Sequence, residues 1–288
     1  MRHNKWDGYL FLAPGFIFFC VFLVYPLLHN WVYSFFDFKL SNLNEASFVG
    51  LDNYRRVFQD PVFWISARNI LIYGVISVPG QMILGFAAAY ALNRADLWSK
   101  LFRTLYFLPV ITSWVVASLI FTFIVTDQGL LNYLIVDVFH LADERIGWLS
   151  DPWKAMIVLS MLGIWKGVGW AMVIYLAALQ GVPKDLYESA DLDGCGPLQR
   201  IWHITLPSIR STNFFIQIML IIGAFNVFTS VFLITKGGPL HQTEVMLTWM
   251  YQKAFTEYDL GYASALSYVF ALLIALLTAI QFKWNRSN

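Results

Sequence analysis

The chain has 288 residues, 58% of them hydrophobic, 18% aromatic and only 13% charged, with a formal net charge of +1. A soluble domain carries about 25% charged residues, so there is too little charge here to cover a water-facing surface, and the near-neutral balance leaves no basic footprint for nucleic acid. The two cysteines, Cys20 in an apolar run and Cys195 in a polar one, form no disulfide framework; each reads as a small packed hydrophobe.

Crossing a hydrocarbon layer of about 30 Å takes roughly 20 apolar residues at about 1.5 Å each. Arg2 and Lys5 precede the first such run, 9–28, which continues weakly to Phe36. The run is too long for a signal-peptide core and no small-residue cleavage site follows, so it reads as a retained first helix. The further runs are 70–92, 105–126, 155–179, 211–235 and 262–282, and the only charge in any of them is Lys166. Helices satisfy their backbone groups within the segment, so uncharged runs of this length predict helices, not sheet. The fold class is therefore all-α, a polytopic protein with six transmembrane helices in contact with membrane lipid.

Pro14, Pro26, Pro79, Pro109, Gly163 and Gly167 lie within these runs. Membrane helices tolerate them because neighbours satisfy the freed backbone groups, and the Gly163–Gly167 pair predicts close helix packing. Lys and Arg are denser in 1–8, 93–104, 180–210 and 283–288 than in 37–69, 127–154 and 236–261. That bias puts both termini on the cytoplasmic side.

The stretch 180–210 reads as structured. Pro183 suits a first helical turn, Asp185 and Glu188 favour the positive helix end, and Gly194 can end the helix in a left-handed conformation. After Gly196 and Pro197, the residues Leu198, Ile201, Trp202 and Thr205 fall at helical spacing and predict a second short helix. Leu206-Pro207 is expected to break it, because a residue before proline avoids the helical region.

Within this stretch Glu188-Ser189-Ala190, Asp193-Gly194, Gln199 and Ile204-Thr205-Leu206-Pro207 resemble the EAA signature of binding-protein-dependent ABC permeases. Ser189 and Cys195 stand where the pattern has alanine; both are small. Phe48 through Tyr54, FVGLDNY, and Gly237-Gly238-Pro239 resemble two further elements of the carbohydrate-uptake branch, which includes maltose, oligosaccharide and glycerol-phosphate permeases.

The resemblance implies the type I ABC importer permease fold, with 1–36 as N-terminus and first span, 37–69 as an outer loop segment, and 70–288 as a core of five spans carrying the coupling loop 180–210. It also implies a bacterial-type inner membrane, a second homologous permease, two cytosolic ATPase subunits, an external solute-binding protein and a sugar substrate, with a non-carbohydrate solute such as glycerol phosphate as the alternative. No G-x-x-x-x-G-K-[ST] loop occurs in the chain, so ATP and Mg belong to the ATPase partners and this subunit is not itself an enzyme. Glu188, Ser189, Ala190, Asp193 and Gly194 are the implied coupling residues. Lys166, Gly167 and Trp170 on the fourth span, with Leu220, Gly223, Ala224 and Val227 on the fifth, are the implied substrate path.

Lys166 also has a plainer reading, as a lysine held by a neighbouring helix, because a charge at mid-membrane must face a partner or a wet cavity. Asn213, Gln217 and Asn226 read as bonds between helices. Without the resemblance, an ATP-independent secondary transporter remains open, although no acidic residue lies inside any span to relay protons or cations. The histidines show no metal-ligand spacing, which disfavours an enzyme.

Overall fold

The computed structural model describes residues 5–39, 46–93 and 96–287. Arg2, Arg94 and part of the outer loop expected over 37–69 lie outside them. Among the described residues five helices are long and apolar enough to cross a membrane, and a bent pair of helices, counted together as one span, brings the number to six. The chain divides into two compact units, one running to Phe63 and resuming over Trp249–Ala275, the other comprising Trp64–Thr248 and the chain from Leu276 onward.

In the first unit, α1 (Lys5–Phe19) passes through a π-helical turn at Cys20–Val24 into α2 (Tyr25–Tyr33). The wide turn sits immediately before Pro26, whose missing N–H and bulky ring disturb the regular ladder. Next come a two-residue antiparallel pair, β1 (Phe36–Asp37) with β2 (Ser47–Phe48), and the helix α3 (Asp52–Gln59). The FVGLDNY element is what ties these pieces down. Gly50 takes a left-handed φ of 57°, Asn53 donates to Ser34 O at 3.0 Å and Phe36 O at 2.9 Å, and Tyr54 Oη meets Ser34 Oγ at 2.7 Å.

The end of helix α14 (Met246–Tyr251) and the last helix, α15 (Leu260–Ser287), as far as Ala275 complete the unit. Arg56 pairs with Asp259 at 2.7 Å. Burial pulls the Arg56 guanidinium down, but the bond to Asp259 and that carboxylate's charge reverse the effect and hold it above its ordinary value. Asp60 accepts from Trp249 Nε1 at 2.8 Å and Tyr262 Oη at 2.5 Å. These bonds satisfy polar groups where the chain leaves its apolar runs.

In the second unit, α4 (Pro61–Ala91) starts before the expected 70–92, because Asp60 Oδ1 accepts from Val62 N at 2.8 Å and Pro61 suits a first turn. The third span differs more. The run 105–126 is not one helix but α5 (Leu97–Ile111) and α6 (Trp114–Val125), bent by 97° across Thr112-Ser113. Ser113 caps α6 with its side chain, and Pro109 lies in the last turn of α5. After α7 (Leu130–Asn132) comes α8 (Pro152–Gln180), capped by Asp151. Helix α8 packs along α5.

The loop that follows holds α9 (Lys184–Leu192), α10 (Pro197–Arg200), a π-helical turn at Ile201–Thr205 and α11 (Leu206–Ser208). Pro207 does not break the chain as expected. The wider turn ahead of it absorbs the proline, and the kink falls at Ile209, with φ −101° and ψ 17°. The fifth span is α12 (Arg210–Phe225) and, after Asn226–Phe228, α13 (Thr229–Ile234). The buried core of this unit includes Ala89, Ala171, Met172, Tyr175 and Ile216.

Candidate functional site

Two places in the second unit bring the sequence-derived residues together. The first is the loop after α8. Its helix α9 begins after Pro183 and ends where Gly194 adopts φ 75°, a conformation that strains any residue with a Cβ. Arg200 pairs with Asp191 and donates through Nε to Cys195 O at 3.1 Å, so α10 folds back on the end of α9. Tyr187 Oη meets buried Thr205 Oγ1 at 3.1 Å. Glu188, Ser189, Asp193 and Gly194 are exposed, whereas Ala190 is only 5% exposed and turns inward. Ala190, one of the implied coupling residues, packs within this loop. Leu192 and Leu198 stand out into solvent, beside the exposed acidic face.

The second place is a cleft of about 210 Å³ within the second unit, lined by residues of α4, α5, α6, α8 and α12. Lys166, Gly167, Trp170, Leu220, Gly223 and Ala224 line it; Val227, buried in the break after α12, does not. Residues the sequence reading missed stand among them: Tyr73 and Gln81 from α4, Val110 from α5, Trp114 from α6, and Gly163. A signal for two of them was present. Asn69, Tyr73, Ser77 and Gln81 recur at i+4 along an otherwise apolar run, and all four are buried, so they form a polar stripe down one face of α4.

The Gly163–Gly167 pair does make room on α8, but for side chains. A Cβ at Gly163 would strike the Tyr73 hydroxyl, and one at Gly167 would strike the Gln81 amide.

Lys166 lies at the midpoint of α8 and is 5% exposed. Its Nζ donates to Pro109 O at 2.9 Å, Val110 O at 3.4 Å and Thr112 O at 2.5 Å. An ammonium has three donors, and each has a carbonyl. These are carbonyls that the broken third span leaves without helical partners. Leu108 O is taken by Thr112 Oγ1 at 2.9 Å, and Ser113 O by Ala117 N at 3.0 Å, so the break is nearly closed in its own hydrogen bonding. An unsatisfied backbone group in hydrocarbon costs several kcal/mol, and a lysine at the helix centre about 2.5–3.5 kcal/mol. Three carbonyls outweigh one ammonium, so the charge at mid-span is accounted for by the break. The Trp114 ring lies under the same Nζ, 4.9 Å from its centroid, an attractive geometry.

Of the side chains read as interhelical bonds, Asn213 accepts from Tyr175 Oη at 2.5 Å, while Asn226 turns back to Ile222 O at 2.8 Å on its own helix. Trp165 leans on Phe121 and does not line the cleft.

A helical membrane protein with a bent third span, a mid-span cleft and a folded helix–Gly–helix loop between its fourth and fifth spans defines a solute permease. The chain belongs to the family of binding-protein-dependent transport system inner membrane components, whose model matches residues 81–286. It is 37% identical to the probable ABC transporter permease protein YurN of Bacillus subtilis, over 100% of this chain and 99% of that one. It is 33% identical to the lactose transport system permease protein LacF of Rhizobium radiobacter, over 98% of this chain and 94% of the other. In fold it matches a chain of a bacterial ABC transporter involved in the import of the acidic polysaccharide alginate, with TM-score 0.84 and 23% identity, covering 98% of this chain and 96% of that one. The subunit is thus a membrane-embedded transport component of the ABC importer class.

Proposed function

We propose that this chain is one of two permease subunits of an ATP-driven importer of an uncharged mono- or oligosaccharide. An external binding protein delivers the sugar, and two cytosolic ATPase subunits that bind ATP and Mg drive the cycle. The observation that carries the reading is the cleft itself. Two indole rings, Trp114 and Trp170, stand with the Tyr73 phenol and the Gln81 amide around the same space. Flat rings suit the C–H faces of a pyranose, and the phenol and amide suit its hydroxyls. The relatives named for sugar transport, such as the lactose system permease, support the same substrate class. The ammonium of Lys166 is already engaged with three carbonyls, which leaves the cleft poorly equipped to take a phosphate or uronate.

Glu188, Ser189, Asp193 and Gly194 form the face that meets the ATPase, and both termini lie in the cytoplasm. Closing the ATPase dimer moves this loop and turns the spans from inward-facing to outward-facing.

Uptake by the complete transporter in vesicles tests the cleft. Trp170→Ala is expected to cut uptake at least tenfold while the complex assembles and ATPase stimulation by the loaded binding protein persists. Unchanged uptake and unchanged solute preference would remove Trp170 from the path. In sealed cells an impermeant thiol reagent should leave Cys195 unlabelled; labelling would reverse the orientation.

A further inference from the structure

We propose that Lys166 is a positioning residue: its ammonium holds the third span in its broken form and so places Trp114 on the cleft wall, without itself contacting the solute. The family resemblance implies Lys166 as part of the substrate path, and the geometry points elsewhere. Its Nζ reaches Pro109 O, Val110 O and Thr112 O, so each of its three N–H bonds already has an acceptor.

The acceptors lie at the break. Pro109 and Val110 belong to the last turn of α5, and Thr112 belongs to the two-residue link before α6. One side chain on α8 therefore ties the end of α5 and the link of a 97° bend to the centre of a neighbouring span, and meets α6 through the Trp114 ring. Trp114 is the first residue of α6, so the direction in which α6 leaves the bend decides where its ring stands. That ring lies against the cleft and also 4.9 Å from the ammonium. If the third span ran on as one helix, the backbone could satisfy its own carbonyls and Lys166 would be left buried without acceptors. The bend and the lysine thus require each other. Helix α8 is separated from α9 only by Gly181, Val182 and Pro183, so movement of the loop has a direct route, through α8 and Lys166, to the wall of the cleft.

The test reads the bend and transport together, in the complete transporter reconstituted in lipid. Trp98 on α5 and Phe123 on α6 are 70% and 74% exposed and accept spin labels on replaced cysteines, with Cys20 and Cys195 removed. At about 1.5 Å per residue, the bent span puts the backbone at these positions about 24 Å apart through space, and a straight one about 37 Å apart. Lys166→Met is expected to lengthen and broaden this distance and to lower uptake at least tenfold, without reordering preference among test saccharides. Lys166→Arg, which keeps donors at the break, is expected to hold the short distance, the parent preference and more uptake than Met.

A Met variant that keeps the parent distance overturns the proposal, whether or not its uptake falls. If the Met variant does not assemble, the Arg variant decides. A short distance with unchanged preference supports the positioning role; a lengthened distance, or a short distance with altered preference, overturns it. Because the distance is read without solute, this outcome is separate from whether the cargo is a saccharide.

Discussion

The loop between the fourth and fifth spans and the cleft among the spans are built by opposite rules. The loop is local. Its residues lie within one stretch of chain, its start and stop are set by Pro183 and Gly194, and its ties, Arg200 to Asp191 and Tyr187 to Thr205, close within the same segment. The cleft is assembled from five helices whose contributing residues run from Tyr73 to Ala224, and no single segment contains it. Local construction makes the loop a unit that can move without unfolding. Distributed construction makes the cleft sensitive to any such movement.

The sharpest way to break this comparison is to reverse charge on the exposed face of the loop. Glu188 is exposed, so Glu188→Lys should leave the subunit in the membrane at parental abundance and abolish uptake. Parental uptake would show that this face is not where energy enters.

A conformational change of comparable size is available at Gly194. No atom lies within 4 Å of a Cβ placed there, but its φ is 75°, so the obstacle to substitution is backbone strain alone, on the order of 1–3 kcal/mol. Gly194→Val should reduce uptake tenfold or more and Gly194→Asn distinctly less, because asparagine tolerates the left-handed region. Equal losses in the two variants would show that something other than φ is at stake.

The cleft should respond differently, with effects graded by solute. Gly167→Ala drives a methyl into the Gln81 amide and should slow longer saccharides more than shorter ones in a vesicle assay, a few-fold in all. A uniform loss across sizes would mark the glycine as packing alone.

The smallest effect is expected at Arg200. Its partner Asp191 is half exposed, and surface ion pairs contribute only about 0–1 kcal/mol. Arg200→Ala should therefore lower uptake less than about threefold, with a slight drop in thermal midpoint. A complete loss would mean that the tie holds the loop's shape far more strongly than its exposure implies.

The same contrast explains what could be read from the sequence. The loop was legible because helix starts, stops and left-handed glycines are local signals: Pro183, Gly194 and Pro197 mark its elements in the order they occur. Its misreading was local too. Pro207 does not end the second helix, because a π-helical turn over Ile201–Thr205 takes up the ring.

Span positions were legible from apolar length, and their number from the absence of charge. The break in the third span was not, since residues 105–126 pass every test of a straight membrane helix. Pro109 alone is a weak signal, because prolines at 14 and 79 sit inside unbroken helices. The informative partner of Pro109 was Lys166, far along the chain. A buried charge implies an acceptor without naming it, and only the tertiary structure shows that the acceptor is backbone. Tyr73 and Gln81 are harder to read for another reason: uncharged polar residues at i+4 along α4 are a weaker signal than the charged and aromatic residues of α8.

The lysine and the carbonyls it serves are separated in time as well as in sequence. The ribosome completes the third span before it reaches α8, so a third span that is already bent carries open carbonyls at Pro109, Val110 and Thr112 until Lys166 arrives to donate to them. In the bent form each segment removes the other's defect. The two spans are therefore expected to leave the insertion site as a pair. Crosslinking of ribosome-bound chains would show this: residues 97–125 should remain beside the insertion machinery in chains ending before Lys166 is exposed, and move into lipid in chains long enough to include all of α8.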